Sequence, residues 1–281
     1  MGFLVAIRRA VVAAVLALPA SAAPQPRPVA PRLRTVAPPL TPEGLPRCDK
    51  PLVPATDLPR LAGETVRYLV DVDGLSVGTI DFKVERRGAL SGQAVTEYRS
   101  LFKLDSLVAT VIPIEGRAAS IVPDATFAPI LAMSRYKLDK IDVSEDQTFT
   151  DGGKSVSSKR TRDGKLVAEK RLFPGAAADF VSGFYVLRSL PKDAQGCAII
   201  YGSQRAYTVW IKPDGQEKVK TPVGMRNADR YVIDYASDKS KKPFAARVWL
   251  GDGPDRLPYR AEIDGQNRLE VRIHLYEKPA G

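Results

Sequence analysis

From residue 63 onward, apolar and polar side chains alternate, the period-2 signature of strands with one buried face. Val66, Tyr68, Val70 and Val72 alternate with polar or charged neighbours, and Asp73-Gly74 marks a tight turn after them. Val77, Thr79 and the run Ile80-Asp81-Phe82-Lys83-Val84 form the return strand. Further hairpin signals stand at Asp151-Gly152-Gly153, Asp163-Gly164 and Pro213-Asp214-Gly215. Strands are also predicted at 206–211, 229–235, 245–250 and 269–276. In the last of these, Leu269, Val271, Ile273 and Leu275 share one face, and Glu270, Arg272, His274 and Tyr276 share the other.

Two segments break the alternation. Residues 103–110 read as a short helix. Residues 176–190 read as the main helix, because Phe180, Val181, Phe184, Leu187 and Leu190 fall at helical spacing and Pro191 blocks extension. Asp179, Ser182, Tyr185 and Arg188 form a polar stripe on the opposite side, with the acid near the start and the base near the end, as the helix dipole favours. Many strands, short turns and no βαβ rhythm predict a mainly β fold. The expected architecture is a curved antiparallel meander, half-barrel-like. The helix at about 176–190 packs on its concave side, as a plug or lid over an apolar interior.

The N-terminal region has a different pattern. Arg8 and Arg9 precede an apolar run from Ala10 to Leu18, and Ala20-Ser21-Ala22 fits small-residue cleavage. Residues 1–22 are therefore expected to be a cleavable signal peptide, too short in its apolar run to span a bilayer. The mature chain would be periplasmic in a bacterial host. Residues 23–60 form a second region, an extended proline-rich arm. Eleven of the 23 prolines of the chain lie between 24 and 60, which resists helix and regular ladder pairing. Residues 61–281 form one β-rich domain. The arm is either a spacer or a docking element for an envelope protein, through residues 24–47.

The chain has 281 residues, two cysteines and one histidine. So few soft ligands argue against zinc, haem or iron–sulfur sites, and no cofactor is expected. Export permits a disulfide. A Cys48–Cys197 bridge would pin the end of the arm to the domain; free thiols or an intermolecular pair are the alternatives. The formal net charge is +10. Without Arg8 and Arg9 it falls to +8, of which the arm carries +3 and the domain +5. That mild excess, together with the compartment, excludes nucleic acid as a partner and leaves a weak attraction to anionic envelope components.

Several segments together resemble a bacterial envelope family, domain of unknown function 3108 (DUF3108). Gly63-Glu64, Tyr68 and Gly74-Leu75-x-x-Gly78 are similar to its first hairpin. The helix Asp179-x-x-Ser182-x-x-Tyr185-x-x-Arg188 is similar to its central motif. Tyr207 to Ile211, Glu217, Thr221 and Gly224 resemble its next block. Val248-Trp249-Leu250 with Asp252, Arg256, Leu257 and Pro258 resemble its last. The resemblance covers roughly 61–277. The chain departs from the pattern in its proline arm and in Gly251 and Gly253, expected to loosen the segment around Asp252. The resemblance implies an exported, β-rich domain without an established activity.

Catalytic motifs are sparse. No Gly-x-Ser-x-Gly elbow occurs, and Gly153-Lys154-Ser155 lacks the earlier glycine of a P-loop. Asp71-x-Asp73-Gly74 fits a hairpin better than a calcium loop. His274 is the one imidazole and sits in a strand. No catalytic residue is assigned. The candidate ligand or partner residues are Asp179, Ser182, Tyr185 and Arg188 on the helix, and Trp249, Asp252 and Arg256 at an expected pocket mouth. Each group also has a structural reading: the helix stripe holding against strand ends, with Arg188 paired to an acid such as Asp252, and Trp249 as a core anchor before a capped turn. Lys239, Lys241 and Lys242 form a basic loop beside Phe244. The expected function is a non-enzymatic binding or scaffold protein of the envelope, holding a lipid-like component between sheet and helix. Its alternatives are an interaction module acting through the arm, and a hydrolase of envelope polymers.

Overall fold

The computed structural model describes residues 34–36, 48, 50–52, 62–105, 114–138, 140–238, 244–264 and 270–277. The expected signal peptide, residues 106–110 of the short helix, and Lys239, Lys241 and Lys242 lie outside them. In chain order the strands are β1 (Arg34–Val36), β2 (Thr65–Val72), β3 (Leu75–Leu90), β4 (Gln93–Leu104), β5 (Ile114–Pro123), β6 (Leu131–Leu138), β7 (Ile141–Thr150), β8 (Ser155–Arg162), β9 (Lys165–Leu172) and β10 (Ala177–Ala178). Helix α1 (Phe180–Arg188) follows. The remaining strands are β11 (Gly196–Gly202), β12 (Arg205–Thr221), β13 (Gly224–Ser237), β14 (Phe244–Gly251), β15 (Pro258–Asp264) and β16 (Glu270–Glu277).

All sixteen strands belong to one sheet, in the order β1-β9-β8-β7-β6-β5-β4-β3-β2-β16-β15-β14-β13-β12-β11-β10. Sequential hairpins give antiparallel neighbours throughout, apart from the parallel pairs β1–β9 and β10–β11 at the two ends. The predicted mainly β meander is therefore present. The chain ends of the meander meet in the middle, where β16 pairs with β2.

Both outermost long strands are covered. β1 lies along β9, while β10 and the bridge at Pro51 lie along β11. Cys48 and Cys197 form the expected disulfide, linking residues 149 apart. Beside it, the Leu52 amide donates to the Cys197 carbonyl at 2.8 Å and the Cys197 amide to the Lys50 carbonyl at 3.0 Å. Such cover shortens the open row of backbone donors and acceptors that invites edge pairing.

The two ends of the sheet also meet through side chains. Tyr201 of β11 donates to Glu169 of β9 at 2.6 Å. Arg171 of β9 pairs with Asp238, just past β13. The Gln204 amide donates to Glu145 of β7 at 3.1 Å. Around these polar ties, Phe149, Val156, Phe173, Ile199 and Tyr201 bury together.

Four sequence expectations change. The main helix is shorter than 176–190. Asp179 has extended backbone and caps the helix, so helical geometry starts only at Phe180. Ala177–Ala178, before the cap, pair with Ile199–Ile200 instead. The short helix at 103–110 does not begin as expected, because Lys103 and Leu104 continue β4 against Thr79 and Gly78. Pro213-Asp214-Gly215 is not a hairpin turn. It is a bulge inside the long strand β12, with the register shifting between Pro213 and Gln216, and the hairpin closes later, between Thr221 and Gly224. Gly251 does not loosen its segment: it is buried at the end of β14, and a Cβ there would stand 2.5 Å from the Tyr259 ring.

Candidate functional site

The helix stripe lies inside the protein. Val181, Ser182, Tyr185 and Arg188 are the buried residues of α1, and Asp179 is buried at its cap. Phe180, expected to be apolar and inward, is 54% exposed; its ring covers Gly202 and lies 5.5 Å from that of Tyr207. The helix thus turns its polar stripe toward the sheet, where Asp179, Ser182 and Arg188 find hydrogen-bond partners and Tyr185 a ring contact.

Asp179 and Ser182 form a capping box. The Ser182 amide donates to Asp179 Oδ1 at 2.9 Å, and the Asp179 amide donates to Ser182 Oγ at 3.1 Å. Ser120 of β5 donates its hydroxyl to Asp179 Oδ2 at 2.5 Å, tying the helix start to the sheet. Burial raises the Asp179 carboxyl above the usual carboxylate range, although these hydrogen bonds pull the other way. One turn on, Tyr185 lies against Tyr98 of β4 with ring centroids 4.0 Å apart. Burial likewise raises the Tyr68 and Tyr185 hydroxyls.

Among the described residues, Arg188 is the largest fully buried side chain. Its Nη2 donates to Glu64 Oε1 at 2.7 Å and, with Nε, to the Asp255 carbonyl at 3.2 and 3.3 Å. The expected pairing with Asp252 is therefore replaced by Glu64, because Asp252 is exposed beyond the end of β14.

Trp249 does not rim a pocket mouth. It is buried among Val219, Ala228 and Tyr259, with the Arg260 guanidinium 4.5 Å from its ring. Arg256 is turned away from Asp252. It pairs with Asp229 at 2.7 Å and donates to the Tyr231 hydroxyl at 2.9 Å, from a backbone at φ 44°. Trp249 and Arg256 thus serve packing and a turn: Trp249 is buried with Tyr259, and Arg256 is paired with Asp229. His274 Nδ1 lies 3.3 Å from Asp71 on the neighbouring strand.

The space between α1 and the sheet is filled by rings. Phe82 stacks on Phe184 with centroids 3.8 Å apart, and Tyr68 meets Phe184 edge-on at 5.9 Å. A cavity of 180 Å³ lies beside the disulfide, lined by Leu52, Phe127, Val186 and Ile199 among others.

A larger cavity of 750 Å³ opens on the other face of the sheet. Strand alternation assigns that face. Tyr98, Ser120 and Val122 point at α1, so Glu97, Arg99, Leu101, Arg117, Ala119 and Ile121 point away. Leu131, Met133 and Arg135 of β6 lie opposite Ile121, Ala119 and Arg117 and continue the same face. Leu101, Ala119, Ile121, Leu131 and Met133 make the floor apolar, and Leu131 and Met133 are exposed. A further cavity of 440 Å³ adjoins it and shares Arg117 and Arg135. The sequence expectations missed this site. Its residues are single outward positions on separate strands, and only the pairing register collects them.

Among the described residues, no group of histidine, cysteine and carboxylate side chains is placed to hold a metal ion. Among them, too, no helix is long and apolar enough to cross a membrane. A family model described as "Protein of unknown function (DUF3108)" matches residues 67–267. No curated protein matches the chain. Among solved structures, a β-barrel-like protein of domain of unknown function DUF1849 from Brucella abortus is similar, with TM-score 0.52 and 12% identity over 78% of this chain and 98% of that one. The hypothetical lipoprotein YmcC from Escherichia coli K12 aligns at TM-score 0.31 and 7% identity, over 80% of this chain and 93% of that one.

Proposed function

We propose that this chain, which belongs to the DUF3108 family, is an exported, non-catalytic binding protein of the bacterial cell envelope that holds an apolar, lipid-like component. In this reading residues 1–22 are a cleaved signal peptide and the domain works in the periplasm. The sheet curves as a half-barrel with α1 on its concave side. There the helix acts as a structural peg, its stripe spent on a capping box, a ring contact and an ion pair, and not as a lid.

One observation carries the reading: the 750 Å³ cavity with an apolar floor on the outer face of β4–β7. Its volume lies within the roughly 300–1,000 Å³ range of small-molecule sites. A folded protein gains by covering exposed leucine and methionine side chains. The position differs from the one expected between sheet and helix, where aromatic rings occupy the space.

The arm supports the binding reading better than the interaction-module reading. Its described parts, Arg34–Val36, Lys50, Pro51 and Cys48, are engaged with the two sheet edges. The test is native mass spectrometry of the protein isolated from a periplasmic extract, with organic extraction of the bound material. A co-purified amphiphile, released on denaturation, is expected. Protein that emerges without bound material, and that fails to enhance the fluorescence of an apolar dye, would overturn the proposal.

A further inference from the structure

We infer that the outer-face cavity takes a monoanionic, fatty-acid-type amphiphile, with its carboxylate on Arg117 and its chain along the floor formed by Leu101, Ile121, Leu131 and Met133. The inference rests on the binding reading above and adds the chemistry of the ligand.

The charges around the cavity decide it. Arg99 pairs with Glu97 at 2.8 Å, Arg135 with Asp146 at 2.6 Å, and Lys83 with Glu85 at 2.9 Å. Asp81 is held by Arg67 at 2.7 Å. Arg117 alone among the charges lining this cavity has no hydrogen-bond or ion-pair partner among the described residues, and its side chain is exposed.

Its position makes that cation conspicuous. Arg117 stands directly opposite Arg135 across the β5–β6 pair. Like charges directly opposed on a sheet face repel. Arg135 partly relieves the repulsion by donating to the Ser134 and Glu145 carbonyls as well as to Asp146. Nothing comparable relieves Arg117. An anion at this point would neutralise the pair and use the guanidinium fork, which matches a carboxylate in bidentate geometry. One unpaired cation is matched by one negative charge, which favours a carboxylate over a doubly charged phosphate monoester. Beside it lie the exposed Leu131 and Met133, which an alkyl chain would remove from water.

The test uses the full mature chain. A fluorescent polyene fatty acid and the alcohol of the same length are titrated into the wild type, Arg117→Gln and Arg117→Lys. The wild type is expected to bind the acid about ten- to a hundredfold more tightly than the alcohol, the increment of a hydrogen-bonded ion pair. Arg117→Gln should lose that preference while still binding the alcohol, and Arg117→Lys should keep part of it. Arg117→Gln relieves a like-charge contact, so its melting temperature without ligand should not fall. A preference for the acid that survives Arg117→Gln would overturn the headgroup assignment and leave the binding reading standing. Failure of both probes to bind the wild type would overturn both.

Discussion

Arg188 and Glu64 form an ion pair inside the protein, Nη2 to Oε1 2.7 Å, between residues 124 apart in the chain. Neither side chain is open to solvent, so the pair locks the C-terminal turn of α1 to the residue that leads into β2. Removing one partner of a buried pair leaves an uncompensated charge, at a cost of about 3–5 kcal/mol. Arg188→Met should therefore destabilise by that amount in urea unfolding. The double variant Glu64→Leu with Arg188→Met should recover part of it, though not all, because the Asp255 carbonyl also loses its donors. Strictly additive costs for the two single changes would contradict this coupling.

The Asp179 carboxyl has a raised pKa in the folded protein because it is buried. The folded state then binds this proton more tightly than the unfolded chain, whose carboxyl titrates near about 3.9. The stabilisation from the proton is complete below that value and is lost as pH rises through the folded pKa. Asp179→Asn removes the titration, and its amide still accepts from the helix amide. The stability of the wild type relative to this variant should fall as pH rises above the unfolded carboxyl's value, read from denaturant midpoints at successive pH values. A relative gain with rising pH would refute the sign.

The disulfide closes the N-terminal arm onto β11 across 149 residues. In the chain-entropy model a loop of that length confers about 5 kcal/mol by restricting the unfolded state. Cys48→Ser with Cys197→Ser should lower the unfolding free energy toward that amount, with no change in the far-ultraviolet circular dichroism of the native state. Titration of the unfolded, non-reduced wild type should find no reactive thiol; two would refute the bridge.

Gly251→Ala places a methyl group 2.5 Å from Tyr259 Cζ and Oη. The ring is packed against Trp249 and Leu257, so it yields only at a cost. Overpacking of this kind costs about 1–3 kcal/mol. Gly253→Ala meets only the Asp255 carboxylate, at 3.3 Å, and should cost distinctly less. Thermal unfolding of the two variants side by side compares them; equal losses would contradict the assignment of Gly251 to a close approach.

Much of the fold was legible because strand signals are local. The alternation at Val66, Tyr68 and Val70 is set by a backbone whose side chains switch faces at every residue, and the hairpin at Asp73-Gly74 is set by two residues that accept left-handed backbone, at φ 49° and 80°. The same rule misled at Pro213-Asp214-Gly215, where turn-forming residues serve a bulge. Turn chemistry specifies a local backbone bend, whereas the partner strand decides whether the chain reverses there. The helix stripe was legible as a pattern and, in its structural reading, as a set of residues held against strands, but its partners were not legible. Ser120, Tyr98 and Glu64, far away in the chain, receive Asp179, Tyr185 and Arg188.

By itself, the sequence determined what depends on neighbours a few residues away: the strand faces and the turns at Asp73-Gly74, Asp151-Gly152-Gly153 and Asp163-Gly164. Tertiary structure alone decided which side of α1 turns inward, which acid neutralises Arg188, and that Arg117 faces Arg135 over an apolar floor. The physical reason is range. Local hydrogen bonds and steric preferences are written into short segments. Desolvation and charge pairing are settled only when strands far apart in the chain take their register, and that register follows from the burial of the whole sheet.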